Sequence, residues 1–180
     1  FPLVDKPVLE YIIEEALVSG IKDVIFVSRR EKKIVLEYFK RYLRKSPALE
    51  NILKARKKNS LLAELKNLDR ISKKISFSDI IQKEPLGDGH AVLQAKSLMK
   101  NESFAVMFGD DVVESKTPCL KQLLEVFKKY QRPVLALYRL PKNKLPFYGI
   151  AGVKKIGSRL YEIKEIVEKP EISKAPSNLT

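Results

Sequence analysis

The chain has 180 residues, of which 44% are apolar and 32% charged, a composition typical of one soluble domain with a substantial core. No apolar run approaches the ~20 residues that a membrane-spanning helix needs, and a single cysteine, Cys119, excludes an internal disulfide framework. Because no signal-peptide pattern opens the chain, we expect a cytoplasmic protein without a membrane partner. Phe1 stands where an initiator Met would be, and both ends suggest a fragment of a longer protein.

The net charge of +13 raises the possibility of nucleic-acid binding, since clustered Lys and Arg displace counterions from phosphates. Most of the excess is confined to one segment, Arg30–Lys74, with 15 Lys or Arg against 5 Asp or Glu. Long basic helices are usually solvated faces whose aliphatic stems cover apolar surface. We therefore expect no nucleic-acid partner, and an anionic partner for this segment is the alternative.

The first half of the chain alternates helix and strand patterns. Pro7–Ser19 has the apolar spacing of a helix closed by Gly20, with Asp5 as its N-cap, and Asp23–Val27 is typical of a buried parallel strand. Glu31–Leu43 repeats aromatic residues on one helical face, which predicts a core contact. Two shorter helices and a strand are then predicted at Leu49–Arg56, Leu61–Ile71 and Ile75–Ile81.

The second half continues the alternation. Helices are predicted at Ala91–Met99 and Pro118–Tyr130, and strands at Phe104–Phe108, Pro133–Arg139, 148–153 and Leu160–Val167. Strands that alternate with helices of this length favour an α/β fold, with a Rossmann-like, doubly wound, mostly parallel but mixed sheet. We expect one domain, 1–180, of which the basic helical segment at 30–74 is part.

The most informative stretch is Gln82–Asp111. Gly87-Asp88-Gly89-His90 combines a backbone able to take positive φ with the start of a helix, a pattern that suits close approach to a phosphorylated ligand. Asp110 and Asp111 follow the Phe104–Phe108 pattern at the carboxyl end of a strand, where open α/β sheets bind their ligands. A hard cation with a phosphorylated substrate is the expected occupant.

Five ordered motifs extend this interpretation to nearly the whole chain: VDKPVLEYIIEEALVSGIKDVIFV, QKEPLGDGHAV, FAVMFGDD, YGIAGV and VEKPEISKAPSNL. In order and spacing they resemble the bacterial UTP–glucose-1-phosphate uridylyltransferases of the sugar-nucleotidyltransferase superfamily. The resemblance is weakest between about Ser46 and Lys74. Together the motifs are much more specific than GHAV alone.

On the nucleotide side, the resemblance implies that Gln82 and the backbone of Gly87 read the uracil edge. A carboxamide offers both donor and acceptor, and glycine lets the main chain approach a flat base. Asp110 matches the catalytic carboxylate that holds Mg²⁺ against the nucleotide phosphates, whereas Asp111 matches a functional position less securely. The alternatives are an exposed residue at a strand end for Gln82 and an ordinary turn residue for Asp110.

On the sugar side, Gly149 matches a residue whose backbone lies against the sugar, and Glu168 matches a carboxylate that accepts from sugar hydroxyls. Lys169 matches the catalytic ammonium that binds the sugar phosphate, a task that suits a mobile point charge. A plain strand-entry glycine and a solvated Glu-Lys pair are the alternatives. His90 is interpreted as structural, since no second histidine or nearby cysteine could complete a metal site or a triad.

The implied reaction joins UTP and glucose 1-phosphate into UDP-glucose and pyrophosphate, with Mg²⁺ as cofactor, and the resemblance implies a homo-oligomer for the full-length protein. The family's glycine-rich loop and its second metal-binding aspartate have no counterpart in this sequence, so we expect the 180 residues alone to be inactive. Two alternatives stay open. One is a related enzyme that uses dTTP or GTP, and the other is a non-catalytic homologue that binds through Lys57, Lys58, Lys73 and Lys74.

Overall fold

A computed structural model of the chain describes residues 2–3, 6–29, 37–39, 47–99 and 101–180. These form two compact units, residues 1–125 and 126–180, and the single domain expected over 1–180 stays a prediction. The strands are β1 (Pro2–Leu3), β2 (Lys6–Pro7), β3 (Asp23–Ser28), β4 (Ser76–Ile81), β5 (Gly149–Gly157) and β6 (Leu160–Glu168). The α-helices are α1 (Val8–Val18), α2 (Pro47–Ala55), α3 (Asn59–Ser72), α4 (Asp88–Gln94) and α5 (Cys119–Tyr130). Short 3₁₀ helices lie at Ala95–Leu98, Lys142–Phe147 and Ile172–Lys174.

Helix α1 confirms the amphipathic pattern of the first motif. Ile12, Ile13 and Ala16 are buried on one face, because their spacing brings them to the same side of the helix. Gly20, at φ 93°, takes the left-handed conformation that closes the helix. The predicted N-cap at Asp5 was wrong, because Pro7 occupies that position.

Strands β3 and β4 form the parallel pair that the sequence predicts. Their register runs from Asp23 opposite Ser76 to Ser28 opposite Ile81. Parallel neighbours need a long crossover connection, and here the connection includes α2 and α3. Because the two strands are parallel, their carboxyl ends lie side by side, and Gln82, the residue after β4, lies at that edge of the sheet.

An aromatic cluster fills the core behind this sheet. Phe39 is 2% exposed and packs with the buried residues Ile13 and Ile75. Its ring centroid lies 5.6 Å from that of Phe26 and 5.2 Å from that of Phe77, in stacked arrangements. The prediction that the Glu31–Leu43 aromatics face the core is confirmed at Phe39; residues 31–36 and 40–43 lie outside the described ranges.

Replacing Phe39 with leucine is expected to cost about 1–2 kcal/mol of unfolding free energy, because the smaller side chain loses its ring contacts and leaves a partial void. Urea unfolding measures the change. Phe104→Leu is the matched control, because Phe104 is 59% exposed and its replacement should change stability by less than about 0.5 kcal/mol. Equal costs for the two substitutions would contradict this packing.

Two predicted strands were wrong. Within the described ranges, Phe104–Phe108 does not form a strand, and Phe104, Val106 and Phe108 are about half exposed. Pro133–Arg139 likewise is not a strand, except that Arg139 forms an isolated bridge with Leu179. An apolar run gives the composition of a strand, but the strand itself requires a neighbour whose backbone groups complete the ladder.

Helix α5 is tied to α1 through its first turn. The backbone N–H of Leu120 donates to Oε1 of Glu15 at 2.8 Å, which satisfies a donor that the helix itself leaves open. The pKa of the neighbouring Cys119 thiol is raised, mainly by burial and to a smaller extent by the negative charge of Glu15. A thiol held protonated is a poor nucleophile, which agrees with a structural place for Cys119.

Residues 126–180 are organised around an antiparallel hairpin of β5 and β6. Ile150 is fully buried in a cluster with Leu140 and Leu145. The end of the chain folds back onto β5, where Ala151 N–H donates to the Leu179 carbonyl at 2.8 Å. The fold is therefore mixed α/β, with one parallel and one antiparallel pair beside the short β1–β2 pair among the described residues.

The described part of the basic segment 30–74 consists of residues 37–39 and helices α2 and α3. The two predicted short helices are thereby confirmed. Lys54 pairs with Glu50 at 3.0 Å within α2, as exposed i,i+4 neighbours do. Among the helices described, none combines the length and the apolar character required to cross a membrane.

Candidate functional site

Gln82 and Gly87 lie together where β4 ends. The Gln82 backbone N–H continues the parallel ladder by donating to the Ser28 carbonyl at 2.9 Å. Its side chain turns back, so that Nε2 donates to the Gly87 carbonyl at 3.1 Å. Gly87 has φ 92° and no atom within 4 Å of the place where a Cβ would be, so the open backbone expected for ligand approach is present. Gly89 does not share the positive φ.

Asp110 occupies an exposed turn at residues 109–110. The turn is held by a long backbone contact of 3.4 Å from Asp111 N–H to the Phe108 carbonyl. No three His, Cys, Asp or Glu side chains converge as a metal site anywhere in the described ranges. The prediction that Asp110 lies at the carboxyl end of a strand was wrong, because the residues before it do not form a paired strand. Asp110 is nonetheless exposed to solvent in the turn.

Gly149 and Glu168 face each other across the hairpin. They are register partners at the start of β5 and the end of β6. A Cβ on Gly149 would lie 3.1 Å from Oε2 of Glu168, so glycine at this position gives the carboxylate room to lie over the backbone. The Gly149 carbonyl accepts a hydrogen bond from Thr180 Oγ1 at 2.8 Å, which fixes the strand entry.

Lys169 follows directly and has an unusual backbone. Its φ is 46°, in the left-handed region that costs a non-glycine residue about 1 kcal/mol or more. Its own N–H donates to the Tyr148 carbonyl at 3.1 Å, and Nζ lies 3.6 Å from Oε1 of Glu168. Both side chains are more than half exposed, at 63% and 72%, so carboxylate and ammonium are available to a ligand.

The structure thus brings five of the six predicted site residues into two groups, and the sixth, Asp110, is in the exposed turn at 109–110. Gln82 and Gly87 form one group in residues 1–125, and Gly149, Glu168 and Lys169 form the other in residues 126–180. One contact was not anticipated. His90 Nδ1 lies 3.1 Å from Gln82 Nε2. His90 also contacts Gln94, and the i,i+4 spacing of these two polar residues on α4 is the sequence signal that could have indicated a polar network.

Comparison with known families supports the resemblance found in the sequence. The family model described as nucleotidyl transferase matches residues 1–180. A UTP–glucose-1-phosphate uridylyltransferase of Bacillus subtilis (strain 168) is 38% identical over 178 residues, which cover 99% of this chain and 59% of that protein. The chain therefore spans about three fifths of the length of this curated relative.

Solved structures agree with the sequence match. The crystal structure of an apo UDP-glucose pyrophosphorylase superposes with a TM-score of 0.86 at 32% identity, covering 99% of this chain and 64% of that one. A UDP-glucose pyrophosphorylase complexed with UDP-glucose superposes with a TM-score of 0.81 at 33% identity, covering 99% of this chain and 63% of that one. The similarity extends from end to end of the 180 residues.

Proposed function

The chain belongs to the nucleotidyl transferase family, and we propose on this premise that the whole protein transfers a uridylyl group from UTP to glucose 1-phosphate. The products are UDP-glucose and pyrophosphate. The similar proteins carry the name of this activity, and one of them was solved with UDP-glucose bound. Because the chain covers less than two thirds of their length, activity, substrates and partners are proposed for the whole protein.

The observation that supports this function best is the grouping of Gly149, Glu168 and Lys169 at one end of the hairpin. A sugar phosphate needs an acceptor for hydroxyl protons and a positive charge for the phosphate. Glu168 and Lys169 offer both, with Nζ and Oε1 3.6 Å apart and both side chains exposed. A lysine ammonium meets a phosphate as a point charge and can follow it during reaction. Gly149 has no side chain, which gives the Glu168 carboxylate room to lie over its backbone, beside the place proposed for the sugar.

The nucleotide base is assigned to Gln82 and Gly87. Gly87 leaves open space beside its backbone, and the Gln82 side chain lies against the Gly87 carbonyl. A flat base approaching such a backbone would meet the remaining polar atom of the carboxamide. This arrangement of Gln82 and Gly87 supports a base pocket after β4.

Enzymes of this family typically need a divalent metal ion, and we propose Mg²⁺ held by Asp110. Magnesium is bound through one or two carboxylates together with substrate phosphates, so it needs no cluster of protein ligands. The exposed Asp110 carboxylate, with Asp111 beside it, fits this donor chemistry. When bound, the ion would neutralise charge on the phosphates of UTP.

The proposed reaction needs no nucleophile from the protein. A phosphate oxygen of glucose 1-phosphate forms a bond to the α-phosphorus of UTP, and the bond from that phosphorus to the bridging oxygen of pyrophosphate breaks. The chain's own part is to orient the two phosphates in line and to hold the sugar phosphate with Lys169. Orientation of this kind can lower a barrier by roughly 7–11 kcal/mol in favourable cases.

The test is pyrophosphate release by the whole protein with glucose 1-phosphate, Mg²⁺ and one nucleoside triphosphate at a time. We expect UTP to give the highest kcat/KM. A clear preference for dTTP or GTP would reassign the base, and no turnover with any of the three would overturn the proposed function. Analytical ultracentrifugation of the same preparation measures its mass in solution and so tests whether the protein is a homo-oligomer. The cytoplasmic location stays a prediction.

A further inference from the structure

His90 lies on α4 between two carboxamide side chains. Its Nδ1 is 3.1 Å from Nε2 of Gln82, and its Nε2 is 3.0 Å from Nε2 of Gln94. A neutral imidazole has one nitrogen that donates and one that accepts. Two carboxamide nitrogens therefore cannot both donate to this ring, and one of the two amides must present its oxygen.

The orientation of Gln82 is settled by a neighbour other than the histidine. Its Nε2 also lies 3.1 Å from the carbonyl oxygen of Gly87. A carbonyl oxygen only accepts, so the NH₂ end of Gln82 has to face it, because the opposite orientation would place two oxygens against each other. The second hydrogen of the same NH₂ then points to Nδ1 of His90. Nδ1 must accept, and the ring proton is on Nε2.

Gln94 is the amide that adapts. Besides the His90 ring, Nε2 of Gln94 contacts the backbone carbonyl oxygen of His90. This distance is 3.5 Å, at the limit of a hydrogen bond. Rotating the Gln94 amide by half a turn loses only this weak contact and lets Oε1 accept a hydrogen bond from the Nε2 proton of the ring. Both ring nitrogens are then satisfied without disturbing Gln82.

We propose that His90 is a positioning residue that makes Gln82 a pure hydrogen-bond acceptor toward the nucleotide base. Both hydrogens of the Gln82 amide are used within the protein, by Gly87 and by His90, so only Oε1 is left for a ligand. Uracil, thymine and guanine carry a ring N–H that can donate to this oxygen. Cytosine and adenine present a lone pair at the equivalent ring nitrogen, so the arrangement selects UTP over CTP.

This inference rests on the proposed function, because it takes Gln82 as the residue that contacts the base. The contact between Gln82 and His90 does not depend on the proposed function, because contacts within the protein alone determine which ring nitrogen of His90 carries the proton. The energetic scale is that of one oriented hydrogen bond, about tenfold in selectivity. The choice among uracil, thymine and guanine has to come from other contacts.

The experiment compares two substitutions that separate the two ring nitrogens. In His90→Asn, the side-chain oxygen can take the place of Nδ1 and accept from Gln82. In His90→Gln, the oxygen reaches toward the Nε2 side, and Gln82 loses its acceptor. kcat and KM are measured in the whole protein for UTP and for CTP at saturating glucose 1-phosphate, and thermal unfolding shows whether each variant folds.

We expect His90→Asn to keep the UTP-to-CTP ratio of kcat/KM within about threefold of the unmodified protein, and His90→Gln to narrow it about tenfold. The loss should appear as a higher KM for UTP with kcat nearly unchanged, because base contact is lost while the phosphates stay aligned. Equal selectivity in the two variants would overturn the inference.

The ¹⁵N shifts of the His90 ring, identified as the resonances absent from His90→Asn, give a readout that does not depend on activity. We expect an unprotonated Nδ1 and a protonated Nε2. A protonated Nδ1 would overturn the inference whatever the kinetics show. If this pattern is found but the protein does not turn over UTP, the proposed function fails, the Gln82–His90 contact stands, and selection of UTP over CTP is refuted.

Discussion

Replacing Lys169 with glycine is expected to lower kcat/KM for uridylyl transfer about 10²–10³-fold without lowering the thermal stability of the protein. The loss of activity follows from removal of the ammonium proposed to bind the sugar phosphate. Stability should hold because Lys169 has φ 46°, a conformation that glycine adopts without strain. Relief of about 1–2 kcal/mol of strain should offset the ~0.5–1 kcal/mol that glycine adds in unfolded-chain entropy.

The structure offers a matched control in the same hairpin. Arg159, in the turn between β5 and β6, is also basic and has φ 56°. Arg159→Gly should likewise keep its thermal stability, and its kcat/KM should stay within about twofold because this residue is not assigned to either substrate. Steady-state pyrophosphate release and thermal unfolding give the two readouts. If Lys169→Gly keeps full activity, or if both variants lose it equally, the assignment of Lys169 is wrong.

Substitution of Asp110 by asparagine should reduce kcat about 10³-fold and leave the remaining rate nearly independent of Mg²⁺ concentration. Asparagine keeps the size and turn preference of aspartate but lacks the negative charge, so the turn at 109–110 should persist. Since Asp110 is exposed, its loss should change stability by less than about 0.5 kcal/mol. The measurement is kcat across a Mg²⁺ titration.

Asp111→Asn is the control for that substitution, because it removes the same charge from the adjacent exposed residue. We expect a loss of about fivefold or less, through weaker long-range attraction of the metal. Should Asp111→Asn prove as damaging as Asp110→Asn, the metal would have to be assigned to the pair. Full activity of Asp110→Asn combined with loss of function on removal of Lys57, Lys58, Lys73 and Lys74 would instead favour the non-catalytic alternative.

Periodicity was sufficient for elements whose apolar faces find a packing or pairing partner, even when, as for β3 and β4, that partner is distant in the chain. Helix α1, strand β3 and strand β4 lie where their apolar patterns predict, within one or two residues. The same patterns failed at Phe104–Phe108, where an apolar run is half exposed and has no ladder within the described ranges. Apolar content measures the gain from burial, but a strand needs hydrogen-bonding neighbours that local sequence cannot supply.

For the candidate site, motif order in the sequence named the residues, and the structure showed what surrounds each of them. Glu168 and Lys169 are adjacent in the chain, but their pairing with Gly149 depends on the register of the hairpin. The positive φ of Lys169 also could not be predicted, because lysine, unlike glycine or asparagine, has no preference for this conformation. The roles of Gln82, Gly87, Asp110, Gly149, Glu168 and Lys169 stay predictions until the substitutions are made.

The sequence by itself determined the family, the α/β class and the identity of the residues proposed to meet base, metal and sugar phosphate, because these depend on residue type and order along the chain. Only the tertiary structure decided how Gln82 is oriented. The sequence shows a carboxamide with two donors and an acceptor, but the Gly87 carbonyl and the His90 ring engage both donors. Which atom remains for a ligand is set by contacts between residues up to eight positions apart, and these contacts exist only in the folded chain.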